Sequence, residues 1–307
     1  MRILFSLLLV LALGLPPAPA EAAGQRPPIS VGLALGSGGA AGLAHIAMLE
    51  VFDDLEHKPD RITGTSIGAV IGVLYAAGLS AEEIRAIFAE FGGSELDALS
   101  RLMRPGGDLT LADFLQLGGE DGGVIQSRGF LEFLKKKVEA RTFSDLAIPL
   151  EVVATDYRTG ETVILDEGDL FQAVGASMAV PGLFPPVRRD GRLLIDGGAS
   201  NPLPFDRLRG RHDVVVAVDV SGSREASPGD GTPGWSEILF KTFEVMQQAL
   251  IAERLRSGEP DILIRPNVAG VRLLHFHRVE TILEQAEPAA AELRQALVEA
   301  GVGPPGP

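Results

Sequence analysis

The sequence predicts an α/β fold, on three observations. Val31-Gly32-Leu33-Ala34-Leu35 is a short apolar run ending in a glycine cluster, as a buried parallel strand reads. Apolar residues then recur at helical spacing at Leu43, Ile46, Ala47, Leu49 and Val51, within residues 42–55. A second short strand, Arg61-Ile62-Thr63, leads through a sharp turn into an apolar helix over residues 67–77 that Gly78 stops. Strand, glycine loop, helix, strand, turn and helix make one compact βαβα unit. The 307 residues suffice for one large domain with a full core, expected over residues 24–300.

The later elements follow from local signals. Ser80-Ala81-Glu82-Glu83 fits a capping box and starts a helix that Gly92-Gly93 is expected to end. Residues 94–128 carry three glycine pairs and read as a flexible cover, followed by a helix over 129–140. Residues 150–155 and 162–165 flank Arg158-Thr159-Gly160-Glu161 as a hairpin, and Arg192-Leu193-Leu194-Ile195 is a strand running directly into Asp196. Residues 213–220 form another apolar strand, 222–234 a mobile loop, and helices over 236–255 and 279–300 bracket a strand at 261–264. Residues 301–307 are expected to be a disordered tail.

Met1 and Arg2 precede an apolar run over 3–15 and then a stretch of prolines and small residues. The pattern is that of a signal peptide over residues 1–23, which predicts export to a periplasmic, secreted or membrane-associated location. The run is shorter than the roughly 20 apolar residues that a spanning helix needs. The chain has no cysteine, so neither disulfides nor a lipid-modified N-terminal cysteine are available to it. A formal net charge of -14 argues against nucleic acid and against long-range attraction to anionic membranes. Contact with a lipid substrate or membrane surface should be local and apolar.

The chemistry is concentrated in three stretches. Gly64-Thr65-Ser66-Ile67-Gly68 fits G-x-S-x-G, in which Gly64 and Gly68 let the backbone bend and Ser66 is the candidate nucleophile. Gly36-Ser37-Gly38-Gly39-Ala40-Ala41-Gly42 places backbone N–H groups at a helix start, and Gly36, Gly38 and Gly39 are the candidate oxyanion donors. Asp196-Gly197-Gly198 presents a carboxylate at the end of a strand, where Asp196 could take the Ser66 proton directly while Gly197 and Gly198 support the turn. Asp-Gly-Gly is also common turn chemistry, and either motif alone is weak. Their joint spacing is more specific. An ordinary α/β-hydrolase has several strands before the nucleophile and a histidine after the acid, whereas here one helix and one strand separate the glycine loop from Ser66.

The histidines have other expected places. His212 follows Asp196 in the order Ser, Asp, His, but it lies among Arg207, Arg209, Arg211 and Asp213 and reads as solvated surface. His45 is expected to pack near the glycine loop and help position it. His275 and His277 lack a nearby carboxylate pair, so no metal site is expected. The glycine loop also fits the G-x-G-x-x-A form of a dinucleotide fingerprint, which keeps a nucleotide-binding alternative open.

Together these motifs resemble the patatin-like phospholipase family. The resemblance runs from about Val31 to Val220 and includes Ala44-His45-Ile46, Ala154-Thr155-Asp156, Thr159-Gly160-Glu161, residues 176–186 (ASMAVPGLFPP) and Asn201-Pro202-Leu203-Pro204. It implies a three-layer α/β/α sandwich with a mostly parallel central sheet. It also implies a Ser66-Asp196 dyad that hydrolyses carboxylic esters of lipids, phospholipase A or lysophospholipase-like, through an acyl-enzyme without cofactor or metal. The family usually carries a basic residue where this chain has Ala41 and often an arginine where it has Gly175, departures that bear on phosphate head groups. Leu183, Phe184 and the 94–128 cover are candidates for an acyl-chain path, or else ordinary core. A catalytically idle lipid-binding or effector protein on the same fold is the remaining alternative.

Overall fold

A computed structural model describes residues 29–94, 122–222, 235–271 and 273–303. The signal-peptide assignment, most of the 94–128 cover, most of the 222–234 loop and the last four residues of the tail lie outside the described residues. In chain order the elements are β1 (Val31–Leu35), α1 (Ala44–Asp54), β2 (Arg61–Thr65), α2 (Ile67–Ala76), α3 (Ala81–Ser94) and α4 (Gly122–Lys135). Then come β3 (Leu150–Asp156), β4 (Thr162–Leu165), α5 (Leu170–Ser177), β5 (Val187–Arg189), β6 (Arg192–Asp196) and β7 (Val214–Val218). The last are α6 (Trp235–Arg256), β8 (Ile262–Ile264) and α7 (Val279–Glu299).

The strands form one sheet in the order β5-β6-β3-β2-β1-β7-β8, with β4 also paired to β3. β3, β2, β1, β7 and β8 run parallel to one another, whereas β4 and β6 run antiparallel to β3 and β5 antiparallel to β6. Both faces of the parallel part are covered, which is why these strands read as continuous apolar runs. Val31, Leu33 and Leu35 of β1 join the larger core with Ile46 and Leu49 of α1, Leu74 of α2, Phe88 of α3 and Ile282 of α7. Ala34 faces the other way, into a smaller core with Val215 and Ala217 of β7, Phe205, Leu208 and Ile251 of α6. The result is three layers, helices on either side of a mostly parallel sheet, as the resemblance implies.

The capping box at the start of α3 is formed: the Ser80 N–H donates to Glu83 Oε2 at 2.8 Å and the Glu83 N–H to Ser80 Oγ at 3.2 Å. Gly92-Gly93 does not end this helix, which continues to Ser94. The helix expected over 129–140 is instead α4, which begins at Gly122 and ends at Lys135. Its C-terminal half is held by Phe130, Leu131, Phe133 and Leu134 against the main core, and the lysines that follow close the turn. Among the described residues, no helix is long and apolar enough to cross a membrane.

Candidate active site

Strand register brings the candidate nucleophile and acid together. β2 pairs with β3 so that Thr65 lies beside Val153, and β3 pairs with β6 so that Ala154 lies beside Asp196. Ser66, one residue past Thr65, is therefore level with Asp196 across a single strand. The Ser66 hydroxyl donates to Asp196 Oδ2 at 2.6 Å, with Ser66 nearly buried and Asp196 fully so.

Ser66 sits between β2 and α2 with φ 56° and ψ -120°, a conformation that a side-chain-bearing residue adopts at a cost. The surroundings hold it there. Its N–H donates to Ser177 Oγ at 2.9 Å, and the Ser177 hydroxyl in turn donates to the Val153 carbonyl at 2.6 Å. The flanking glycines are required by close approach: a β-carbon on Gly64 would lie 2.6 Å from the Gly68 carbonyl oxygen, and one on Gly68 would lie 2.2 Å from that of Leu35. The turn is tight because α2 starts almost on top of β1.

Asp196 is fixed by its backbone and by one oxygen. Its N–H donates to the Ala179 carbonyl at 3.0 Å, its carbonyl accepts from Thr155 Oγ1 at 2.9 Å, and its Oδ1 accepts the Gly198 N–H at 2.7 Å. The other oxygen is left for Ser66. Burial pushes the Asp196 carboxyl up to about 7, against the opposing effect of its hydrogen bonds from Ser66 and Gly198. A carboxyl poised there can exchange a proton with a neighbouring hydroxyl near neutral pH.

The glycine loop follows β1 at the same edge of the sheet. Its amides are not equivalent, and one candidate donor has to be withdrawn. The Gly36 N–H donates to the Val218 carbonyl at 3.0 Å, tying the loop to β7, so Gly36 does not offer a free donor. Ser37 and Ala40 are likewise bonded, to the carbonyls of Pro202 and Leu273, both at 2.8 Å. Among the described residues, the N–H groups of Gly38 and Gly39 meet no acceptor, at the start of the 3-10 turn that leads into α1. Those two remain the oxyanion candidates.

His45 packs under the loop, with its Nε2–H donating to the Gly36 carbonyl at 2.9 Å. Burial lowers its pKa to about 4, which keeps the ring neutral. His212 is a correction to the solvated-surface expectation: both ring nitrogens are buried, and its ring lies against Gly32 of β1. It precedes β7, at the end of the sheet opposite Ser66, so the Ser, Asp, His order in the chain does not become a triad. Among the described residues, no cluster of histidines and carboxylates fit to hold a metal is present.

Ala41 is buried against the main core. Gly175 lies on α5 with Leu131 close by, so a longer side chain there would displace Leu131. Leu183 and Phe184 are half-buried, and Phe184 packs on the main core. At the end of β2, where a dinucleotide fold presents its ribose-binding carboxylate, this chain has Thr65 and Ser66. Two further residues shape the site with no motif to mark them in the sequence: Ser177, the buried serine at the end of α5, and Gln247, a buried polar residue on α6.

Comparison with known proteins agrees with this architecture. The family model described as patatin-like phospholipase matches residues 33–209. The chain is 33% identical over 204 residues to an "Uncharacterized NTE family protein" of Mycobacterium tuberculosis, covering 66% of this chain and 52% of that protein. It is 32% identical over 212 residues to patatin-like phospholipase domain-containing protein 6 of Homo sapiens, covering 67% of this chain and 14% of that one. The chain thus spans about half the length of the mycobacterial relative and much less of the human one. Among solved structures, VipD from Legionella pneumophila gives a TM-score of 0.47 at 14% identity, covering 88% of this chain and 67% of that chain. The match from 33 to 209 takes in the glycine loop, the serine turn and the aspartate turn, and the chain belongs to the patatin-like phospholipase family.

Proposed function

We propose that this protein is a serine acyl hydrolase that cleaves carboxylic ester bonds of phospholipids or related lipids, with Ser66 as nucleophile and Asp196 as its base. The observation that carries the reading is the 2.6 Å bond from Ser66 Oγ to a buried carboxyl. As Oγ attacks the ester carbonyl carbon, its proton passes to Asp196 Oδ2. The negative charge that forms on the carbonyl oxygen is met by the N–H groups of Gly38 and Gly39. Collapse breaks the bond to the alkoxy oxygen, which leaves with the proton from Asp196 as an alcohol or lysolipid. Water then attacks the acyl-enzyme, Asp196 takes its proton, and the fatty acid is released with Ser66 restored.

The test is fatty acid release from a panel of phospholipids, lysophospholipids and neutral glycerides by the wild type, Ser66→Ala and Asp196→Asn. Both variants should lose at least about a thousandfold in turnover while keeping the fold. Lipid binding by a folded wild type without release of acid would overturn the reading in favour of an idle binder. The reading includes export through residues 1–23, which the mass of the mature N-terminus in an expressing bacterium would test.

A further inference from the structure

The glycine loop and the Asp196 turn are joined by a side chain from outside the family match. Gln247 lies on α6, beyond residue 209, and is buried one turn before the apolar Ile251. Its Nε2 donates to Ser37 Oγ at 2.9 Å. Ser37 is thereby held twice, since its own N–H is on the Pro202 carbonyl at 2.8 Å. The next two residues are Gly38 and Gly39, whose amides are the candidate oxyanion donors. A β-carbon on Gly198 would lie 2.0 Å from Gln247 Nε2 and 2.9 Å from both Asp196 Oδ1 and Ser37 Oγ, so the amide, the hydroxyl and the carboxyl crowd one point. The second glycine of Asp-Gly-Gly leaves the space that the Gln247 amide fills.

We infer that Gln247 is a positioning residue for the glycine loop: its amide fixes Ser37, and through Ser37 the aim of the Gly38 and Gly39 N–H groups at the reacting ester. The inference rests on the acyl-hydrolase reading above. A buried amide that only satisfied itself would need one partner anywhere on the inner surface of α6; this one meets a residue of the loop, beside the proposed base. α6 therefore completes the site, although it lies beyond the matched span.

Two measurements on the full-length chain test this, one independent of turnover. Deuterium uptake by peptides covering Gly36 to Leu43 should rise in Gln247→Met and in Ser37→Ala, with the rest of the sheet unchanged; unaltered uptake overturns the inference even if no ester is cleaved. In steady-state kinetics, Gln247→Met should lower kcat about 10- to 100-fold at little-changed KM. The Ser37→Ala/Gln247→Met double variant should fall no further than the worse single one, because both remove the same bond. Wild-type kcat in Gln247→Met or additive losses in the double variant would each overturn the inference. A wild type that cleaves no ester would count against the acyl-hydrolase reading, leaving the uptake result to decide the role of Gln247.

Discussion

At the scale of single residues, Asp196 governs two pH dependences of opposite sense. Its carboxyl titrates at about 7, raised by burial from an ordinary 3.8. The base form exists above that value, so kcat/KM should rise with pH through about 7 and level off, falling about tenfold for each pH unit below it. A profile flat from pH 5 to 8 would remove Asp196 as the base. For stability the sign reverses. Between 3.8 and about 7 the folded state holds a proton that the unfolded chain has lost, so stability falls as pH rises through this window. At about 1.4 kcal/mol for each tenfold change in proton affinity, the full cost above pH 7 is about 4 kcal/mol. Asp196→Asn keeps the shape and the Gly198 bond without the charge. It should be more stable than wild type at pH 8 by a few kcal/mol, with no such advantage near pH 4, as urea denaturation at the two pH values would measure. The carboxylate is retained at a cost to stability, as expected of a group kept for chemistry.

At the scale of elements, the crossing of α2 over β1 depends on glycine at one place. A β-carbon at Gly68 would meet the Leu35 carbonyl at 2.2 Å, and a backbone carbonyl cannot swing aside as a side chain can. Gly68→Ala should therefore push the helix off the sheet, costing about 2 kcal/mol or more and disturbing the Ser66 turn. Gly78, at the end of the same helix, has φ 101° but nothing within 4 Å of its β-carbon position. Gly78→Ala meets only backbone strain, about 1 kcal/mol, with activity retained. Thermal melts and turnover of the pair separate close packing from conformational freedom. Equal losses of stability and activity in the two would contradict this account.

At the scale of the whole molecule, the edge of the sheet away from the site is held by a buried carboxylate. Glu151 of β3 accepts from Arg207 Nε at 2.9 Å and Arg211 Nη1 at 3.5 Å, and Arg61 Nη1 of β2 lies 3.7 Å away. Three arginines thus bind the start of two strands to the turn that precedes β7. The arginines are a third to a half exposed and water can take over their solvation, so Glu151→Gln should cost only about 1 kcal/mol. Because this edge is opposite Ser66, kcat of the folded protein should be unchanged. A variant that keeps its stability, or one that loses turnover while folded, would contradict that division between the two edges.

Much of this was legible in the sequence because it is local. Apolar runs, helical spacing and glycine punctuation placed β1, α1, β2 and α2 and the hairpin of β3 and β4, since each signal acts within a few residues of the structure it dictates. Ser66 in its turn and Asp196 at a strand end were likewise apparent as motifs. What only the tertiary structure decided comes from residues far apart in the chain. Register across β3 sets Ser66 level with Asp196, Ser177 reaches the Ser66 amide across 111 positions, and Gln247 reaches Ser37 across 210. The loss of Gly36 as a donor depends on where β7 lies, and the burial of His212 on what packs over β1. α5 and β5 also escaped the sequence reading, the one a short helix buried on the core and the other a three-residue strand paired to β6. Local sequence determines which backbone shapes are cheap, while hydrogen-bond partners and buried charge are set by neighbours that only the packed sheet brings within reach.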